Sequence, residues 1–185
     1  MMFRQKIRKI CRFIYSSVYG KLKPVKYAQK IGVNMRGGVF LYGKITWGTE
    51  PWIITLGSNV HITDGVKFIT HDGGTLLFRN QVPDLEITKP IIIGNDVYIG
   101  NDVTLLPGVT IGNNVVIGAG AVVTKNIPDN SVAAGVPARV IKTADEYFEK
   151  LKKESLHLGH LKGHEKDKAL MEYYGYQGNS NGIYF

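Results

Sequence analysis

The chain has 185 residues, of which 44% are hydrophobic and 21% charged, as in an ordinary soluble globular protein with a single domain. One cysteine excludes an intramolecular disulfide framework and a multi-cysteine zinc site. The net charge of +8 is uneven, because residues 1–30 carry nine basic residues and no acidic one, which argues against a uniformly basic nucleic-acid-binding protein.

The basic segment 1–30 predicts an amphipathic helical arm. Its apolar residues recur at helical spacing with basic residues between them: Phe3, Ile7, Ile10, Ile14 and Val18. We expect this apolar stripe either to pack against the rest of the protein or to contact an anionic membrane surface or a lipid-linked substrate. No groove-reading motif accompanies the charge, so no nucleic-acid partner is expected. The sequence shows no signal peptide and no transmembrane helix, so we expect a cytoplasmic protein.

The segment 31–142 predicts a parallel β-helix. Between residues 91 and 127 an aliphatic residue recurs every six positions: Ile93, Ile99, Leu105, Ile111, Ile117 and Val123. Four places after each of these stands a second small or branched residue: Val97, Val103, Val109, Val115, Ala121 and Ile127. Glycine, asparagine and aspartate between them suit tight corners. A six-residue period of this kind is typical of hexapeptide repeats that coil into a parallel β-helix.

A long excursion interrupts the repeat. Phe68 and Ile93 both fit the repeat but are 25 residues apart, which is not a multiple of six. The polar segment 72–90, with its glycines and prolines, has the composition of a loop. A loop of this length inside a compact fold is usually functional.

The segment 143–185 predicts a C-terminal helix and tail. We expect Ser131–Lys142 to form one last extended coil before it. Thr143 and Glu146 have the spacing of a capping box, which predicts that a helix begins there. A second short helix is expected over residues 165–174.

Histidine supplies the candidate catalytic base. His71 stands where the regular coil ends and the long loop leaves, so a rigid scaffold would hold an imidazole suited to proton transfer near neutral pH. His61 lies at a repeat position expected to point outward into solvent. His157, His160 and His164 have helical spacing, but glycines interrupt them and no metal is expected. Phosphate-binding loops and a serine nucleophile motif are absent.

The sequence resembles the hexapeptide-repeat O-acetyltransferases, which include galactoside and maltose acetyltransferases. The resemblance covers residues 31–142 and rests on the I-G-x-N-V repeats, the histidine before the loop and the run VIGAGAVVTKNIPDNSVAAGVPARVIK. The stretches THDGG and GTEPWIITLG are closer to the polysaccharide or capsule acetyltransferase branch. It implies an all-β fold whose parallel β-helix is left-handed, and a homotrimer with active sites between neighbouring subunits.

The resemblance also implies site residues and a reaction. His71 matches the catalytic base, and Glu50 is the candidate on the side of the acceptor. Six residues match positions that bind coenzyme A: Asn101, Ala119, Thr124, Lys125, Arg139 and Lys142. The implied reaction moves an acetyl group from acetyl-CoA to a hydroxyl of a sugar or polysaccharide precursor. Alternatives are an antibiotic-modifying acetyltransferase, a γ-type carbonic anhydrase and a non-catalytic scaffold, of which the anhydrase lacks its third histidine.

Overall fold

A computed structural model describes residues 19–176 of the chain. These residues fall into two compact units, the first ending at Tyr147 and the second beginning at Phe148. The apolar stripe expected in the basic arm lies at positions 3–18, outside the described residues.

Thirteen short strands, all in the first unit, form three sheets within the described residues. The first sheet holds β1 (Asn34–Met35), β3 (Ile54–Leu56), β6 (Ile91–Ile93) and β9 (Thr110–Ile111). The second sheet holds β2 (Val39–Tyr42), β4 (Val60–Thr63), β7 (Val97–Ile99), β10 (Val115–Ile117), β12 (Ser131–Ala134) and β13 (Arg139–Thr143). The third sheet holds β5 (Lys67–Phe68), β8 (Thr104–Leu105) and β11 (Val122–Val123).

The chain visits the three sheets in the same order in every turn, so the strands wind into a parallel β-helix. From β1 to β12, all strand pairs are parallel and join strands on successive turns. Val39 pairs with Val60, 21 positions on, whereas Val97 pairs with Val115, 18 positions on. A turn of 18 residues is three hexapeptides, one for each side of the coil, which is why the six-residue period appears in the sequence.

The repeat residues form the core of the β-helix. Both sets of six aliphatic residues predicted from the period are buried, with no more than 5% of the surface of any of them exposed. Buried and more exposed residues alternate along the strands, as in β7, where Val97 and Ile99 are buried and Tyr98 between them is exposed. At the corners, Asp96, Asp102 and Asn114 have φ between 53° and 57°, a conformation that Asn and Asp tolerate better than other side chains. The prediction of a hexapeptide-repeat coil is confirmed.

Residues 72–90 leave the coil and return to it. Ile54 pairs with Ile91, 37 positions on, which is 19 more than the 18 of a regular turn. At the base of the loop His71 forms an antiparallel bridge with Thr88, and the Asp72 amide donates to the Ile87 carbonyl at 2.9 Å. A 3-10 helix, Gly73–Phe78, follows the first leg of the loop.

The end of the coil differs from the prediction. Ser131–Lys142 does not continue as one more extended coil, because β13 turns back and pairs antiparallel with β12. Gly135, at φ +94°, lies in the turn that reverses the chain. The returning strand covers the edge of the second sheet, which would otherwise expose unpaired backbone groups.

Three helices are complete within the described residues. They are α1 (Pro24–Lys30), α2 (Ala144–Glu154) and α3 (Gly163–Tyr173). The capping box is confirmed, since the Thr143 amide donates to Glu146 Oε2 at 2.8 Å and the Glu146 amide donates to Thr143 Oγ1 at 3.1 Å. None of the helices among residues 19–176 has the length and apolar character needed to cross a bilayer.

Candidate active site

His71 lies at the edge of the β-helix, at the base of the loop. It comes three residues after Phe68, the last residue of β5, which is fully buried and stacks on Trp47 with ring centroids 5.0 Å apart. The aromatic pair anchors two neighbouring turns of the coil just before the chain reaches His71. The His71 side chain itself is 41% exposed. A rigid strand thus presents a solvent-accessible imidazole at the start of the loop.

Glu50 contacts the imidazole of His71. Glu50 Oε2 lies 3.2 Å from His71 Nδ1, and Thr49 Oγ1 lies 3.0 Å from the same nitrogen. Thr46 pairs with Lys67 on adjacent turns, 21 positions apart, and Glu50 and His71 are separated by the same 21 positions. The stacking of turns therefore brings the carboxylate and the imidazole together.

Glu50 is ionised in this setting. Hydrogen bonds from Thr70 and then Thr49 lower the pKa of the Glu50 carboxyl group, contacts with His71 lower it further, and partial burial opposes them. An ionised carboxylate can only accept hydrogen bonds, so the neutral ring of His71 donates to it from Nδ1–H. Among residues 19–176 no hydrogen bond reaches Nε2. In the neutral Nδ1–H tautomer, Nε2 carries a lone pair that can accept a proton.

The predicted donor-binding residues flank the third sheet. Asn101 and Ala119 lie on stacked corners before β8 and β11, where the Gly120 amide donates to the Asn101 carbonyl at 2.7 Å. Gly100 permits this approach, because a Cβ there would lie 2.7 Å from the Ala119 amide nitrogen. Thr124 and Lys125 follow β11 at the opposite corner, and both are exposed. These residues therefore occupy both ends of one narrow sheet.

The two remaining predicted donor residues lie on β13. Arg139 is exposed and donates from Nη1 to the Ala138 carbonyl at 2.8 Å, while Lys142 is partly buried and pairs with Val132. No hydrogen bond or ion pair within residues 19–176 joins His71 to any of the six donor-side residues. Their assignment to coenzyme A stays a prediction.

The other histidines lie elsewhere. His61 is half-buried and not simply solvated: its ring stacks on Phe40 at 4.5 Å, its Nδ1 is 2.9 Å from the Tyr42 hydroxyl, and its Nε2 is 3.0 Å from Asn59 Oδ1. The prediction missed these contacts because the aromatic residues are one turn away in the coil. His157 and His160 lie between α2 and α3. Residues 19–176 contain no group of three or more His, Cys, Asp or Glu side chains able to hold a metal ion.

Two partners of the site were not predicted. Thr49 and Thr70 contact Glu50 or His71, and Glu50 was predicted on the acceptor side and not beside the histidine. A turn length of 21 residues, had it been known, would have indicated these contacts. It could not be read from the sequence, because glycines and aromatic residues interrupt the six-residue period before Leu56.

Comparisons with known proteins agree with this architecture. Residues 90–125 match the family described as bacterial transferase hexapeptide (six repeats). Protein CapG of Staphylococcus aureus is 46% identical over 126 residues, which cover 68% of this chain and 73% of that protein. The galactoside O-acetyltransferase of Escherichia coli (strain K12) is 38% identical over 143 residues, covering 61% of this chain and 70% of the other.

A solved structure supports the same relationship. The crystal structure of a maltose O-acetyltransferase from Clostridium difficile 630 matches with a TM-score of 0.51 at 32% identity, covering 64% of this chain and 73% of the other. The resemblance predicted from the repeats is confirmed. The chain belongs to the bacterial hexapeptide-repeat transferase family and is an acetyltransferase of that family.

Proposed function

We propose that this chain transfers an acetyl group from acetyl-CoA to a hydroxyl group of a sugar or polysaccharide precursor, with His71 as the general base. The observation that carries the proposal is the contact between Glu50 and His71 Nδ1, which leaves Nε2 free to accept a proton. A general base of this kind must be held in one orientation and one protonation state. The relatives named as galactoside and maltose O-acetyltransferases support a sugar hydroxyl as the acceptor.

The reaction proceeds by direct attack. The acceptor oxygen attacks the thioester carbonyl carbon while its proton passes to His71 Nε2. The C–O bond forms, and a tetrahedral oxyanion results, which backbone N–H groups stabilise. The C–S bond then breaks, and the coenzyme A sulfur takes the proton back from Nε2. No covalent enzyme intermediate is needed.

Glu50 acts through His71 in this mechanism. Its carboxylate already accepts hydrogen bonds from Thr70, Thr49 and the imidazole, so it is engaged away from the acceptor. The negative charge stabilises the imidazolium that forms when Nε2 takes the proton. Glu50 is thus a positioning residue rather than a residue that binds the acceptor.

The donor is acetyl-CoA, held along the third sheet. Asn101 and the Ala119 backbone contact the acyl and pantetheine parts, and Thr124 with Lys125 continues this contact at the other end of the sheet. Arg139 and Lys142 bind the phosphate groups of coenzyme A. Both are cationic, but lysine lacks the bidentate fork of arginine, so Arg139 contributes more to donor affinity.

Family membership supports the remaining features of the assembly. We infer that the β-helix is left-handed and that three copies form a homotrimer with active sites between neighbouring subunits. Residues 31–142 are the acyltransferase domain, residues 1–30 form a basic arm that packs on the trimer or meets a membrane surface, and residues 143–185 complete the C-terminal end. The cytoplasmic location expected from the sequence stays a prediction.

The test measures thiol release from acetyl-CoA. The full chain is incubated with acetyl-CoA and a panel of sugars, nucleotide sugars, polysaccharide fragments and hydroxylated antibiotics, and products are identified by mass spectrometry. We expect acceptor-dependent thiol release with a sugar, and a product heavier by one acetyl group. Turnover confined to an antibiotic would assign the protein to xenobiotic modification. Absence of acetyl-CoA binding by calorimetry would favour a non-catalytic scaffold.

A further inference from the structure

Thr70 is a buried hydroxyl beside the candidate base. None of its surface is exposed, and its Oγ1 donates a hydrogen bond to Glu50 Oε2 at 2.5 Å. Its carbonyl accepts a hydrogen bond from the Lys89 amide at 2.9 Å, where the loop returns to the coil. Thr70 therefore lies at the base of the loop, and its side chain faces the carboxylate of the neighbouring turn.

The neighbouring turn is shaped to admit this hydroxyl. Gly48 has a φ of +70°, and a Cβ there would lie 2.7 Å from Thr70 Oγ1 and 2.9 Å from the Phe68 carbonyl oxygen. Such distances are shorter than any normal contact, so the turn needs glycine at this position for two reasons, space and backbone conformation. The absence of a side chain at Gly48 thus lets the two turns approach closely at the Thr70 hydroxyl.

The two threonines on Glu50 are not equivalent. Thr49 is exposed, so water can replace its hydroxyl. Thr70 is fully buried, so its hydroxyl is shielded from water, and a buried polar contact left unmade is costly. The hydrogen bond from Thr70 is also the largest cause of the lowered pKa of Glu50. Of the hydroxyls near the carboxylate, Thr70 is therefore the one that fixes its position.

We propose that Thr70 is a positioning residue of the acetyl transfer: its buried hydroxyl orients the Glu50 carboxylate, which in turn keeps the neutral His71 ring in the Nδ1–H form. The proposal rests on His71 being the base in the proposed function. Because the hydroxyl is fully buried and donates to the carboxylate, no bound substrate can reach it, so we expect its effect on kcat and not on donor affinity. Thr70 thus links the buried coil to the proton-accepting nitrogen two side chains away.

The variants separate the hydroxyl from its packing. Thr70→Val keeps the shape and the buried volume but removes the donor. Thr70→Ser keeps the donor and loses one methyl group. Thr70→Ala removes the donor without adding bulk and serves if the valine variant does not fold. The matched control is Thr63→Val, since Thr63 is also a coil threonine and its Oγ1 donates at 2.9 Å to the Ile99 carbonyl within the second sheet.

The first measurement is the ring tautomer, read by nitrogen NMR of the ¹⁵N-histidine-labelled full chain without substrates. His71 is assigned by comparison with His71→Gln. We expect neutral His71 to be in the Nδ1–H form in the wild type and in Thr70→Ser, and to become a mixture with the Nε2–H form in Thr70→Val and Thr70→Ala. The second measurement is turnover. Loss of one hydrogen bond to a charged group predicts a fall in kcat of roughly tenfold for Thr70→Val, with KM for acetyl-CoA nearly unchanged.

Distinct results overturn the two proposals. An unchanged tautomer and an unchanged kcat in Thr70→Val would remove the positioning role of Thr70. Equal losses of activity in Thr70→Val and Thr70→Ser would also remove it, because Thr70→Ser keeps the hydroxyl donor to which the role is assigned. A fully active His71→Ala protein would instead remove the proposed base. Since the tautomer is measured without turnover, failure of the base and failure of the positioning role are distinguished.

Discussion

Glu50 and His71 lie on adjacent turns of the β-helix, 21 positions apart, with Glu50 Oε2 3.2 Å from His71 Nδ1. The pairing depends on the length of the early turns, which is also 21 residues between Val39 and Val60. The later turn from Val97 to Val115 has only 18 residues. In a turn of that length, residues 21 positions apart would not be stacked on each other as Glu50 and His71 are. The three extra residues of the early turn therefore help to bring Glu50 and His71 together.

Replacing Glu50 with glutamine should reduce kcat by about ten- to a hundredfold, because an orienting group beside a general base typically has effects within the range of the base itself. The glutamine amide is nearly the same shape, but its NH₂ group can donate to Nδ1 and favour the wrong tautomer. Steady-state kinetics of Glu50→Gln will check this. If acceptor KM rises while kcat stays constant, Glu50 belongs to the acceptor site, as the sequence first indicated.

The low pKa of Glu50 predicts a pH-dependent stability. The carboxyl group titrates below its ordinary value of 4.5 in the folded protein, so the unfolded state binds the proton more readily. The stabilisation is present above the unfolded pKa and is lost as the pH falls through the folded pKa. The difference in Tm between the wild type and Glu50→Gln should therefore shrink from about pH 6 to about pH 3. A difference that grows on acidification would contradict this sign.

Arg139→Ala should weaken acetyl-CoA binding by roughly tenfold or more, because hydrogen bonds from a charged group to phosphate contribute about 1.5–3 kcal/mol. Arg36→Ala is the matched control, since Arg36 is also exposed but lies just after β1, in the first turn of the coil. Calorimetry with acetyl-CoA checks both variants. Equal affinity in the two would take Arg139 out of the donor site.

Phe68→Ala should lower the free energy of unfolding by about 3–5 kcal/mol, as expected when a large buried aromatic side chain is removed. Phe68 is fully buried and stacks on Trp47, so its loss leaves a cavity between two turns just before the site. Urea unfolding followed by tryptophan fluorescence measures the change. A loss below about 1 kcal/mol would mean that the turns repack and that the aromatic pair does not anchor the site.

The six-residue period was enough to predict the core, because each repeat residue is buried by its equivalents one turn away. The same period could not predict β13. Val140 and Ile141 are apolar and fit a further coil, yet they lie 47% and 58% exposed on a strand that runs antiparallel. The turn containing Gly135 decides the direction there, and hydrophobic spacing carries no information about it.

The residues of the candidate site could be proposed from the sequence only where a chemically suited residue also stands at a distinctive position in the repeat. His71 was visible because a histidine at the break in a repeat is unusual. Thr70 was not, because a single threonine next to a histidine has no pattern, and its proposed role rests on its burial, its hydrogen bond to Glu50 and the approach of Gly48. When the turns differ in length, a contact between two turns can be recognised only after the structure shows which residues are stacked on each other.

The most direct test of the proposed mechanism is the turnover of His71→Ala with its best acceptor. General-base catalysis typically contributes 10²–10⁴-fold, so kcat should fall by about that factor while acetyl-CoA affinity and Tm stay close to those of the wild type. His61→Ala, assayed at a temperature where it is folded, should keep wild-type turnover, because His61 lies in an aromatic stack on the second sheet. Wild-type turnover by His71→Ala would contradict the central claim that this imidazole is the base.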